Sequence, residues 1–209
     1  LDICKEHGMK SEFSIRGKLL AGLILVLFSA TAVAQTPMKP TWVKEGVDWS
    51  QYSKFIVKPL NIEDVVLIPP PWAERPEEWE LNMDSFQTIK SIYRDVMKAE
   101  LGYPVVYVPG RDVLEINVEI VSVTPWLRPN EGGSMEGAQA MTMGTGELSA
   151  SVEIRDSKTR ELLWMVAGVG TVGDQYKEFT RENNARNVEK MFKNFAHSLR
   201  TAMDLVHGK

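Results

Sequence analysis

Two stretches of strict alternation constrain this chain more than any other feature. Leu114, Ile116, Val118 and Ile120 alternate with Glu115, Asn117 and Glu119; Leu148, Ala150, Val152 and Ile154 alternate with Ser149, Ser151, Glu153 and Arg155. Side chains on a strand point to its two faces in turn, so each stretch predicts a strand with one apolar and one wet face. That pattern belongs to an antiparallel sheet covered on one side. Asp156-Ser157-Lys158-Thr159 supplies turn residues, and Leu162 to Val172 predicts the return strand of a hairpin. Earlier, Phe55 to Leu60 predicts a first strand, and the short apolar run Val65 to Ile68 a second one beside it. Pro69-Pro70-Pro71 ends regular pairing there, since proline has no N–H to give to a ladder.

Helical periodicity occurs twice. Phe86, Ile89, Tyr93, Val96 and Met97 recur at helical spacing, with Asp84 and Gln87 placed as a capping box. Leu101 closes the pattern, Gly102 suits the position after the helix, and Pro104 forbids continuation. The segment from Pro104 to Val108 reads as a short strand or extended link. From about Thr180 to Val206, Val188, Met191, Phe192, Phe195, Leu199, Ala202 and Val206 share one face, which predicts a helix docked on the sheet. The polar face of that helix is mixed in charge, unlike a membrane-surface helix. The expected fold class is therefore α+β: an antiparallel sheet with two α-helices packed on one face.

The N-terminal region predicts export. Met9 reads as the start, with the eight residues before it lying upstream; Lys10, Arg16 and Lys18 precede an apolar run from Leu19 to Ala30. Ala32-Val33-Ala34 then offers small residues for cleavage before Gln35. The run is shorter than the ~20 residues that span a bilayer as a helix. The expected organisation is upstream residues and a cleavable leader over 1–34, a linker over 35–47 carrying Pro37 and Pro40, and one domain over 48–209. About 175 residues are enough for a single domain with its own core. No transmembrane span is expected after cleavage.

Cys4 is the only cysteine and precedes Met9, so the secreted domain has neither a disulfide nor a thiolate, and the leader ends without a lipid-acceptor cysteine. The chain holds 24 basic and 28 acidic side chains. Setting aside the four basic and three acidic ones within 1–34 leaves 20 against 25. A mildly acidic domain without a Lys/Arg block makes nucleic acid a poor partner.

Catalytic and cofactor motifs fail on their context. Gly168-Val169-Gly170-Thr171-Val172-Gly173 spells GxGxxG, but Asp174 to Phe179 separate it from the next helix. A dinucleotide site needs the helix to open at that turn. The expectation is small residues in a strand that admit close backbone approach. Gly132-Gly133-Ser134-Met135-Glu136-Gly137 has Glu136 where a nucleophile elbow needs glycine. His197 and His207 are ten residues apart on one helix, roughly 80° and about 15 Å from each other, so they cannot share a metal. His207 is expected in a frayed tail and His197 on the surface. Glu74, Glu77, Glu78 and Glu80 lack the loop spacing of a calcium site and read as a solvated run. No catalytic residue, cofactor or metal site is assigned.

The segment from Pro125 to Thr145 has no periodicity and is long for a connection, which marks it as the place to look for ligand or partner contact. Trp126, Met135, Met141 and Met143 are its candidate contact residues. Thioethers are adaptable apolar surfaces, and they are also soft ligands that select Cu(I).

Three stretches resemble a family of bacterial envelope proteins, mostly lipoproteins, known as domain of unknown function 3313. They are Asp48-Trp49-Ser50-Gln51-Tyr52-Ser53-Lys54-Phe55-Ile56-Val57-Lys58-Pro59, Pro109-Gly110-Arg111-Asp112-Val113-Leu114, and Asp156-Ser157-Lys158-Thr159-Arg160-Glu161-Leu162-Leu163. Arg160 stands where such turns commonly carry glycine, and the lipid-acceptor cysteine is missing. The resemblance implies an envelope location and an α+β fold, and carries over no catalytic residue. The functional expectation is an exported, non-enzymatic periplasmic protein that binds a protein or envelope component. The alternative is a small-molecule or Cu(I) protein using residues 125–145.

Overall fold

The computed structural model describes residues 40–80, 83–127 and 141–209. Its strands are β1 (Trp42–Val43), β2 (Lys54–Val57), β3 (Val66–Leu67), β4 (Val113–Pro125), β5 (Met141–Met143), β6 (Gly146–Asp156), β7 (Leu162–Val172) and β8 (Tyr176–Glu178). Its helices are α1 (Met83–Glu100) and α2 (Arg181–Val206).

Both alternating stretches form strands, β4 and β6, and they pair antiparallel with Ile116 opposite Ile154 and Val118 opposite Val152. β7 returns along β6 as the hairpin partner, with Trp164 opposite Ile154 and Val166 opposite Val152. The apolar residues therefore line up across three strands on one face. The main sheet has six strands in the order β1-β7-β6-β4-β2, with β3 also on β4. It is mostly antiparallel, and with the two helices the fold is the α+β class expected.

The other edge of β4 is occupied in an unforeseen way. β2 pairs parallel with Val113–Ile116, and β3 pairs parallel with Ser122 and Val123. Between them the Asn61 N–H donates to the Val118 carbonyl at 2.9 Å and the Ile120 N–H donates to the Asn61 carbonyl at 2.9 Å. Residues 54–68 thus run along β4 as one interrupted edge strand, so β2 and β3 lie end to end rather than side by side. Pro59 falls in the interruption, where the missing donor is tolerated.

Part of the expected linker is also structured. β1 lies within 35–47 and pairs antiparallel with Trp164 and Met165 of β7. The Ala167 N–H beside it donates to the Thr41 hydroxyl at 3.2 Å. Two residues are too few to show an apolar period, which is why the segment reads as a linker in sequence.

Both helices form where the periodicity predicts, but the first already includes Met83, so Asp84 lies within its first turn rather than capping it. α1 ends at Glu100, and Gly102 follows at φ +72, a conformation glycine adopts without steric cost. Thr180 caps α2, its hydroxyl accepting from the Asn183 N–H at 3.1 Å. Phe86, Tyr93, Val96 and Met97 of α1, and Val188, Phe192, Ala196 and Met203 of α2, share one core cluster with Leu114, Ile116, Val118 and Ile120 of β4. Burying a side chain such as Phe192 contributes roughly 1.5–3 kcal/mol.

The third glycine of the GxGxxG run has a packing reason. Gly173, at φ +99, lies where an added Cβ would stand 2.8 Å from the Gly144 Cα. Gly168 and Gly170 lie within β7, as a strand reading requires.

One core group is mismatched. The Tyr93 ring stacks edge-on against Phe192 at 5.1 Å, but its hydroxyl finds no hydrogen-bond partner among the described residues. Burial pushes this phenol above its ordinary pKa. Tyr93→Phe is expected to stabilise the fold by about 1 kcal/mol, since an unmade buried hydrogen bond is removed without loss of volume. A higher urea midpoint at unchanged slope is the expected readout; a lower midpoint would show that the hydroxyl is bonded.

Candidate functional site

The three stretches that carry the family resemblance are far apart in sequence and meet at one end of the sheet. The first contributes Tyr52, Ser53 and Lys54 beside the start of β2. Asp48 opens the preceding 3-10 turn, its carboxylate accepting from the Ser50 N–H at 3.1 Å. The Ser53 N–H then donates to the Asp112 carbonyl at 2.9 Å, and the Lys54 ammonium pairs with the Asp112 carboxylate at 2.8 Å. That lysine holds the Asp112 carboxyl below its usual range. The second stretch is thereby fixed to the first.

The third stretch is the β6–β7 turn, and it reaches both others. The buried Ser157 hydroxyl lies 3.1 Å from both the Gly110 N–H, from which it accepts, and the Gly110 carbonyl, to which it donates. Its own N–H donates to the Val113 carbonyl at 3.1 Å. The Tyr52 hydroxyl donates to the Asp156 carboxylate at 2.8 Å. Asp156 also accepts from the N–H groups of Lys158 at 2.9 Å and Thr159 at 2.7 Å, the Asx geometry that shapes such turns. Burial works against the charge on Asp156. It is outweighed by the Thr159 N–H, the Tyr52 and Thr159 hydroxyls and the Lys158 N–H, which together lower the carboxyl's pKa. Burial and then Asp156 push the Tyr52 phenol the other way.

Arg160 completes the turn at φ +65, the left-handed conformation that explains why glycine is common there. Its guanidinium pairs with Glu115 on β4, whose side chain is otherwise buried. Alternation predicts Glu115 on the wet face together with Asn117 and Glu119. Only 1% of Glu115 is exposed, because Arg160 lies over it and neighbouring strands flank it. On the same face Glu153 pairs with Arg155 at 2.9 Å, and Glu119 accepts from Ser151 at 3.4 Å and Asn61 at 3.3 Å.

The C-terminus of α2 seals this end. His207 caps the helix, and its Nε2 lies 2.8 Å from the Tyr52 carbonyl, so it is docked rather than frayed. The Tyr103 hydroxyl donates to Asp204 at 2.7 Å; burial, then Asp204, push its phenol to about 12. His197 is exposed, as expected.

Of the residues singled out between 125 and 145, Trp126, Met141 and Met143 lie at the opposite end of β4. Trp126 is half-buried, and its N–H donates to the Thr145 carbonyl at 3.3 Å. β5 pairs Met141 with Glu178 and Met143 with Tyr176, so that part of the presumed loop is a strand. Thr145 in turn bonds to Asn184 at 3.1 Å and Asn187 at 3.0 Å on α2. Met135 and Ser134 lie outside the described residues. Among the described residues no group of three or more His, Cys, Asp or Glu is placed to hold a metal ion. Within the same residues no helix is long and apolar enough to cross a membrane.

A six-stranded, mostly antiparallel sheet carrying two helices, clasped at one end by three hydrogen-bonded turns, is the class of protein these features define. The chain belongs to the DUF3313 family, proteins of unknown function, which it matches over residues 28–199. That family assigns no enzymatic activity. No curated protein matches the chain. Among solved structures, a variant PelC dodecamer from Paraburkholderia phytofirmans is similar at 10% identity and TM-score 0.36, over 72% of this chain and 88% of that one. A second PelC dodecamer from the same organism shares 13% identity at TM-score 0.32, over 81% and 96%. A candidate lipoprotein from Caulobacter crescentus shares 12% identity at TM-score 0.26, over 78% and 94%. At that level of overlap these likenesses carry no functional inference for this chain.

The clasp has a pH signature. Because the Asp156 pKa is lowered in the fold, its contribution is complete above the unfolded value near ~3.9 and is lost as pH falls through the folded value. Asp156→Asn is expected to cost about 1 kcal/mol near neutral pH, discounted for partial exposure. The gap to wild type should close as the pH falls below about 4 and through the lowered folded value. Urea titrations across that range check it, and a gap that stays constant down to the lowest pH would refute the assignment.

Proposed function

We propose that this chain is an exported, non-enzymatic envelope protein of the periplasm that binds a protein or another envelope component. One observation carries the binding half of the reading. The polar groups of the three motifs are bonded to one another, as Tyr52–Asp156, Lys54–Asp112 and Ser157–Gly110, and to β4 as Arg160–Glu115, while the side chains beside them face solvent. Tyr107, Val108, Arg111 and Lys158 are all exposed at this end. Groups already bonded in this way serve to hold a surface rather than to move protons. The export half rests on the leader sequence from Met9 to Ala34. N-terminal sequencing of protein recovered from cells should begin at Gln35. Recovery from the cytoplasm with the leader intact would overturn the location.

A second reading is favoured by the hydrogen bond from Trp126 to Thr145, two residues beyond Met143. It makes Trp126, Met135, Met141 and Met143 a soft-ligand or small-molecule site of the Cu(I) class. Thermal unfolding with Cu(I) at 100 times its Kd should then show about 2.7 kcal/mol of added stability. An unchanged melting curve would remove this reading.

A further inference from the structure

We infer that the end of the sheet where the three motifs meet is a docking surface for an anionic lipid bilayer, with Tyr107 and Val108 entering the interfacial layer while Arg111 and Lys158 meet the headgroups. The inference rests on the envelope reading above and names the component bound.

The apolar tip is held out by the fold. After α1 the chain runs beside β2: the Phe55 N–H donates to the Pro104 carbonyl at 2.9 Å and the Val106 N–H to the Phe55 carbonyl at 2.8 Å. Four residues on, Gly110 is fixed by the buried Ser157 hydroxyl. Between these anchors Tyr107 is 86% exposed and Val108 is 74% exposed. A tip tied on both sides has little ordering entropy left to lose on binding. Tyrosine suits the bilayer interface, where its ring meets the apolar layer and its hydroxyl stays wet.

Two exposed cations flank the tip although the chain carries a net −4. Arg111 follows Gly110, Lys158 follows Ser157, and neither forms an ion pair among the described residues. Three of the acids at this end are bonded within the fold. Asp112 is paired with Lys54, Asp156 is bonded to Tyr52 and the turn amides, and Glu161 is paired with Lys44. The acidic residues Glu74, Glu77 and Glu78 follow β3, which pairs near Val123, roughly 30 Å along β4 from Val113. An anionic surface approaching the tip therefore meets Arg111 and Lys158, whereas at the other end it meets the acidic run. A two-residue tip is too small to centre the ~800 Å² footprint of a stable protein interface, whereas a bilayer needs only shallow insertion beside cations.

Vesicle co-sedimentation tests the inference. The probes are phosphatidylcholine vesicles and vesicles that also contain phosphatidylglycerol, and the protein is used with its N-terminus sequenced. Wild type should bind the phosphatidylglycerol vesicles selectively and release as salt is raised. Arg111→Glu with Lys158→Glu should weaken binding at least about 25-fold, at roughly fivefold per cation before charge reversal. Tyr107→Ser with Val108→Ser should also weaken it while leaving the melting temperature unchanged. No vesicle binding, equal binding to neutral vesicles, or variants that bind as wild type does would each overturn the inference. The N-terminal sequence reports a retained leader independently of the vesicles, so failure of the export reading and failure of this one are distinguishable.

Discussion

Register on β4 is the constraint from which the rest of the structure follows. Its thirteen residues pair with β6 on one side and with the broken strand of residues 54–68 on the other. Because the side-chain period is two, a slip of one residue would turn Leu114, Ile116, Val118 and Ile120 away from the helices. The helices add their own apolar faces to that row, so neither can dock unless β4 is in register. The Ser157 N–H bonded to the Val113 carbonyl pins the beginning of the strand. At the far end the ladder tolerates a bulge between Ile120 and Ser122. Bulges sit where a sheet must twist, and this one precedes the Trp126–Thr145 contact.

Elements whose pattern is local were legible in the sequence. α1 and α2 announce themselves by period and caps, the β6–β7 hairpin by alternation and turn chemistry, and Gly102 by its position between Leu101 and Pro104. What was illegible depends on partners distant in sequence. β1 is two residues long and exists because β7 offers an edge. β2 and β3 show no sign that they share one edge of β4, since parallel pairing is set by the chain between them rather than by their own residues. His207 closes the last helix, where fraying is the ordinary expectation, and the Tyr52 carbonyl across 155 residues together with the Tyr103 ring makes it a docked group.

The candidate site shows the same division. Trp126 and the methionines were found by composition and loop length, which mark where a chain departs from regular structure. Tyr52, Asp112, Asp156 and Ser157 lie in the three stretches that carry the family resemblance, where nothing local marks them as a site. Each is an ordinary turn or strand-edge residue until the tertiary contacts are known. The available clue was the joint occurrence of three short motifs. Motifs widely separated in sequence but recurring together are explained economically by contact, and here they bond pairwise.

Glu115 and Arg160 show how the balance of costs decides a residue. A non-glycine residue in the left-handed region costs roughly 1 kcal/mol, so glycine at position 160 would ease the backbone. Such a glycine would leave the Glu115 carboxylate, with its side chain 2% exposed, to its weak contact with Asn117 at 3.4 Å. Removing one partner of a buried pair costs about 3–5 kcal/mol, and somewhat less here because Arg160 itself remains half in water. The loss outweighs the gain even after that discount. The strained backbone at Arg160 is therefore tied to the buried carboxylate on β4. The turn that carries Lys158 is held over the sheet by an interaction that glycine could not supply.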